Sequence, residues 1–98
     1  MPTTTHVVLV SWKNGEAVEA ERQVRPAVAG FRTTVPDVVD VVEGHSSSPE
    51  GLEDGFDYGF VVTFASAAAR DVYLEHPAHL PVAAAIRAAA DRVVVFDV

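Results

Sequence analysis

Cysteine is absent from the 98 residues. That excludes a disulfide framework, a thiolate metal site and a thiol nucleophile, and it suits a reducing cytoplasm. Basic residues are scarce: seven Lys and Arg stand against fourteen Asp and Glu, a formal charge of −7. From Thr33 to Ala69 there is none, while Asp37, Asp40, Glu43, Glu50, Glu53, Asp54 and Asp57 all fall there. Such a surface repels phosphate backbones and anionic headgroups, so nucleic acid and membrane are poor partners. The acidic stretch reads as a solvated rim. No apolar run approaches the ~18 residues of a membrane span, and no basic segment leads into a long apolar one at the N-terminus. A soluble, cytoplasmic protein is expected. There is no Gly-x-Ser-x-Gly elbow, and the six glycines are dispersed rather than gathered into a phosphate loop.

Large aliphatic side chains are few as well. Leu and Ile together number five, against 19 Val and 15 Ala. Apolar residues nevertheless make up 49% of the chain, enough for a packed interior. The length suits one domain spanning residues 1–98. A chain of this size buries only about 60–65% of its unfolded surface. The core must come from small and β-branched pieces, with Phe31, Phe56, Phe60, Phe64, Phe96, Trp12, Tyr58 and Tyr73 as large fillers.

His6 to Trp12 is short and β-branched, a strand ended by Asn14-Gly15. Over Glu16 to Val35, apolar residues recur at threes and fours, one stripe of a helix. Pro26 predicts a kink or a restart near Arg25. Val38 to His45 is a second strand, in which Gly44 suggests a bulge or close approach. Ser46 to Gly55 is turn-rich, and Phe56 to Phe64 is a third strand. Ser66 is placed to cap a helix over Ala67 to Glu75. Pro77 fits the first turn of another, reaching about Ala90, and Arg92 to Val98 is the last strand.

The order is β-α-β-β-α-β, an α+β, ferredoxin-like subunit with helices on one sheet face. Strand alternation puts His6, Val8, Val10 and Trp12 on one side, and Val7, Leu9 and Ser11 on the other. Phe60, Val62 and Phe64 likewise oppose Val61 and Thr63, and Val93, Val95 and Asp97 oppose Val94 and Phe96. Both faces are largely apolar, whereas a face in water would alternate with polar residues. The helix-free face therefore needs a cover, and a second copy packed sheet on sheet is the simplest one. The expected assembly is a homodimer forming a dimeric α/β barrel.

Histidine is the commonest general acid or base at neutral pH. Of four, His6, His45, His76 and His79, two fall in Tyr73-Leu74-Glu75-His76-Pro77-Ala78-His79. A place in the first turn of a helix would favour neutral imidazole at His79, a base-competent form. Tyr73 could donate a hydrogen bond to a carbonyl whose charge grows on enolisation. Strand parity puts His6 and Asp97 on the same helix-facing side, where an Asp could set an imidazole tautomer. His79 and Tyr73 are the candidate catalytic pair. His6, Val8, Val10, Phe60, Leu74, Val82 and Asp97 are the candidate substrate-binding residues. The same residues also read as ordinary core and a local histidine cap. His76 and His79 could share a cation with His6, but their spacing is no metal signature, and neither metal nor cofactor is assigned. His45, beside three serines, reads as loop surface.

The chain resembles the stress-responsive dimeric α/β-barrel (Dabb) family. The likeness rests on His6 opening HVVLVSWK, on Gly44 before the Ser-Pro-Glu-Gly loop, on the Tyr73–His79 box and on the terminal Val95-Phe96-Asp97. It implies a ferredoxin-like subunit that dimerises through its sheet. The family's plant polyketide cyclase closes a poly-β-keto chain by aldol condensation without a cofactor. Its active-site histidine and tyrosine match His79 and Tyr73, and polar positions of its pocket match His6 and Asp97. The implied partner is a polyketide or aromatic small molecule. The cyclase carries aromatics where Val24, Arg25, Val28 and Ala90 stand here, so the alkyl-tail pocket implied for this chain is wider, differently lined or absent. Other members resemble stress-induced, very stable oligomers with no established catalysis, so a non-catalytic stress-responsive or small-molecule-binding dimer is the alternative. A cofactor-free oxygenation of a phenol is a third reading.

Overall fold

A computed structural model describes residues 2–98. The elements are β1 (Thr4–Trp12), α1 (Ala17–Ala29), α2 (Phe31–Thr34), β2 (Val38–His45), β3 (Tyr58–Phe64), α3 (Ala67–Leu74), α4 (Leu80–Ala89) and β4 (Ala90–Asp97). The strands form one antiparallel sheet in the order β2-β3-β1-β4. With both helical segments on one face, this is the ferredoxin-like arrangement. No helix among the described residues is long and apolar enough to cross a membrane.

Register makes the two faces legible as rows. Facing the helices, Val41, Val62, His6 and Asp97 lie side by side across the four strands, followed by Glu43, Phe60, Val8 and Val95. On the far face Val42, Val61, Val7 and Phe96 form a row that is apolar throughout. The helix side holds the core, where Val8, Val10, Phe60, Val62 and Phe64 meet Val24 and Val28 of α1, Tyr73 of α3 and Val82 and Ile86 of α4. Each such side chain contributes roughly 1.5–3 kcal/mol by leaving water. The far face has no cover in the subunit, and Val42 and Phe96 stay 60% and 62% exposed.

Local structure departs from expectation at several points. Pro26 does not break α1, which runs continuously through it. Its ring is on the exposed face, as is Arg22, so the carbonyl that loses its donor can turn to water. The helical stripe divides at Gly30 instead. That carbonyl receives the N–H and hydroxyl groups of both Thr33 and Thr34, closing a one-turn helix. Val35 is then extended, as a residue before proline prefers to be. The extra residue in the β2–β3 ladder is at Val39, not Gly44, and a Cβ on Gly44 would meet open space. Gly44 is suited to its place by its backbone, with φ +152°. β3 begins at Tyr58 rather than Phe56.

The acidic stretch is more than a solvated rim. Glu43 bonds Arg25, Asp40 bonds Arg32, Glu53 accepts from the Ser46 hydroxyl and Asp54 bonds Arg92. His45 ends β2, as the expected strand bounds have it, and its surface ring is paired, with Nε2 2.7 Å from Glu21 Oε1.

Candidate active site

The segment after α3 sets the site. Ser66 caps α3 by accepting the Ala69 N–H at 3.1 Å. The helix points Tyr73 into the core, against Phe64 and Phe31 at ring separations of 5.0 and 5.2 Å. A turn through Pro77 follows, and α4 starts only at Leu80, with Pro81 in its first turn. Pro77 thus belongs to the turn and not to the helix. His79 caps α4 from outside rather than sitting in its first turn. Its ring reaches back instead, and its Nδ1 donates to the Leu74 carbonyl at 3.0 Å. The remaining nitrogen, Nε2, keeps its lone pair.

Burial lowers the pKa of His79 below the ordinary histidine value. The Leu74 carbonyl opposes this, and the charges of His6 and Arg87 add to it. The neutral form expected from a helix N-terminus has a different cause here, desolvation. The Tyr73 ring is 4.3 Å from that of His79. Its hydroxyl is buried without a hydrogen-bond partner among the described residues. Burial, with the charge of Asp97, pushes this phenol above its ordinary value, so it stays a proton donor at neutral pH.

His6 Nδ1 lies 2.7 Å from Asp97 Oδ1, and Arg70 bonds the other oxygen of that carboxylate. Desolvation pushes Asp97 up, but its bonds to His6 and Arg70 more than offset this and hold it below the ordinary carboxylate value. The ionised carboxylate accepts the His6 Nδ1 proton, which fixes the orientation of the ring. The His6 ring is 5.6 Å from that of Tyr73.

These groups border a cleft of about 330 Å³ between α4 and the β1–β4 edge, near the lower end of small-molecule sites. His6, Val8, Phe60, Tyr73, Leu74, His79 and Val82 line it. Val10 does not, being wholly buried in the core, and Asp97 stands behind His6 as its hydrogen-bond partner. Ala83, Ile86, Arg87, Val93 and Val95 complete the wall and were not among the candidates. A helical period of three and four from His79 points to the first three. Strand parity with Asp97 points to the two valines. His76 turns away, its Nδ1 accepting the Ala78 N–H at 3.0 Å. Among the described residues, no three His, Asp or Glu side chains converge to hold an ion.

A larger, shallower depression of about 590 Å³ lies between α1 and the 46–57 loop. Its polar groups are already spent on one another: Glu21 takes both the Trp12 indole N–H and His45, and Ser46 bonds Glu53. The cleft at His79 keeps an unpaired hydroxyl, that of Tyr73, while the other buried hydroxyl without a partner among the described residues, that of Tyr58, lines a separate depression of about 540 Å³ beside the same loop.

The model of the family described as Stress responsive A/B Barrel Domain (Dabb) matches residues 4–98. No curated protein matches the sequence. Among solved structures, a protein of Arabidopsis thaliana is 29% identical with a TM-score of 0.83, covering 97% of this chain and 92% of its own. A dimeric ferredoxin-like protein of unknown function from Jannaschia sp. CCS1 is 23% identical with a TM-score of 0.89, over 99% and 98%. A hydroxynitrile lyase from Passiflora edulis is 21% identical with a TM-score of 0.85, over 98% and 91%.

Proposed function

Because the chain belongs to the stress responsive A/B barrel family, we propose that it is a cofactor-independent polyketide cyclase, working as a sheet-to-sheet homodimer in the cytoplasm. The supporting observation is the pairing at the cleft wall. The Nδ1 of His79 is committed to Leu74, which frees Nε2 as a base, and Tyr73 beside it holds a buried hydroxyl with no partner. A proton acceptor and a hydrogen-bond donor next to an apolar cleft are what enolisation requires.

In this reading His79 Nε2 takes the proton from a methylene between two carbonyls. The Tyr73 hydroxyl bonds the oxygen on which negative charge gathers. The enolate carbon attacks a ketone further along the same chain, and a carbon–carbon bond forms as the ketone π-bond opens. The resulting alkoxide recovers the proton from His79. One proton is lent and returned, so the step consumes no redox partner. In this reading a second copy covers the far sheet face, which is supported by the description of the Jannaschia protein as dimeric.

The same pair also suits the reverse kind of step. A base that removes a hydroxyl proton lets the neighbouring carbon–carbon bond break, and the Passiflora neighbour is named for such a cleavage. A cyanohydrin is therefore the second substrate to try.

The test is conversion of a linear poly-β-keto thioester, followed by chromatography of ring products. Wild type should exceed the buffer rate, and His79→Gln should lose about 10²–10⁴-fold with an unchanged circular dichroism spectrum. Equal turnover by the variant would remove His79 as the base. Cleft binding without turnover of either substrate would leave a non-catalytic binding dimer.

A further inference from the structure

The cleft has one charged lip. In a chain of net charge −7, no Asp or Glu borders it, and the one permanently charged side chain that does is Arg87. Of the seven basic residues, Arg87 alone has neither ion pair nor hydrogen bond among the described residues. Five arginines hold carboxylates, and Lys13 bonds the Ala88 carbonyl. Arg87 shares a face of α4 with Ala83 and Ile86, and all three line the cleft with His79, which stands just before the helix. Its charge is felt at the His79 ring, so the two groups share one electrostatic environment.

An unengaged guanidinium at the mouth of an apolar cleft is a ready partner for a carboxylate, which it grips through two parallel N–H bonds. We propose that Arg87 is the specificity residue of this site: the cleft takes an amphipathic acid, its carboxylate on Arg87 and its hydrocarbon or aromatic body between α4 and β4. The assignment rests on the cleft being the ligand site, as read above, but not on any reaction occurring there. Val82, Ile86, Val93 and Val95 supply the apolar walls. A bound carboxylate would also cancel the charge that Arg87 imposes on His79, leaving that ring a stronger base once the ligand is seated.

The test is binding of a matched pair, 4-butylbenzoate and 4-butylbenzamide, by amide NMR titration of the full chain. The benzoate should bind about tenfold more tightly, the size of one charge-assisted contact, with shifts at Val82 and Ile86. Arg87→Gln should weaken the benzoate about tenfold and leave the benzamide unchanged, while Arg87→Lys should keep part of the preference. Added salt should narrow the gap. Equal affinities in wild type, a preference that survives Arg87→Gln, or shifts mapping elsewhere would overturn the assignment. His79→Gln separates this from the catalytic reading. If that variant turns over normally, His79 is not the base, yet the benzoate preference of wild type stands or falls on Arg87 alone.

Discussion

At the scale of single residues, the withholding of water sets the protonation of the groups at the cleft. His79 has its pKa lowered by burial and Tyr73 has its pKa raised by burial. The same cause favours the neutral form of each, because desolvation disfavours whichever form is charged. A proton titration of the His79 ring should therefore show a midpoint below ~6.5, the unperturbed value. A midpoint at or above it would show the ring to be in water. Stability follows the same sign. The unfolded chain takes up this proton first as pH falls, so the folded state loses ground below ~6.5, and His79→Gln should lose less between pH 7.5 and 5 in urea titrations. Asp97 acts in a separate window. Its contribution is full above ~3.9 and disappears as pH falls through its lowered folded value. Which residues could meet was legible from strand parity and from the Tyr73–His79 spacing. That Leu74 holds the His79 ring was not, because a backbone carbonyl freed at a helix end leaves no mark in the sequence.

At the scale of elements, the strands were the easiest to read. Their β-branched runs are short, and burial on one face forces strict alternation. Helix ends were harder, because proline has two opposite local meanings. Pro26 rides inside α1 on the exposed face, and Pro77 sits in a turn while Pro81 takes the first turn of α4. Only the solvent exposure of each ring and the hydration of the carbonyl one turn earlier separate these cases, and neither is local in sequence. Ser66 is the clearest local signal. Its hydroxyl anchors α3, an eight-residue helix too short to persist alone. Ser66→Ala should cost about 1 kcal/mol and lower Tm by roughly 4–8 °C for a domain of this size. Ser66→Asp, which restores an acceptor, should recover most of it. A thermal melt unchanged in the alanine variant would mean that packing of Tyr73 alone sets the helix.

At the scale of the whole molecule, the sheet is finished on one side only. The row Val42, Val61, Val7 and Phe96 crosses all four strands without a polar interruption, and β4, an edge strand, has Val93 to Phe96 exposed on both of its faces. Monomers seldom expose so continuous an apolar surface, and edge strands invite pairing unless they are covered. Sheet-on-sheet association removes this surface from water, and its gain grows with the area removed. Phe96 is the position at which to test it. It is mostly exposed in the subunit, so Phe96→Asp removes little of the monomer core yet buries a charge in any two-fold interface formed by this face. Wild type should sediment at twice the 10.4 kDa of the chain at micromolar concentration. The variant should sediment as a single copy with its circular dichroism spectrum retained, and Val42→Asp on the opposite edge strand should do the same. Dimers that persist in both variants would place the interface elsewhere. A wild-type chain that stays single and folded at that dilution would leave the apolar row without the second copy as its cover.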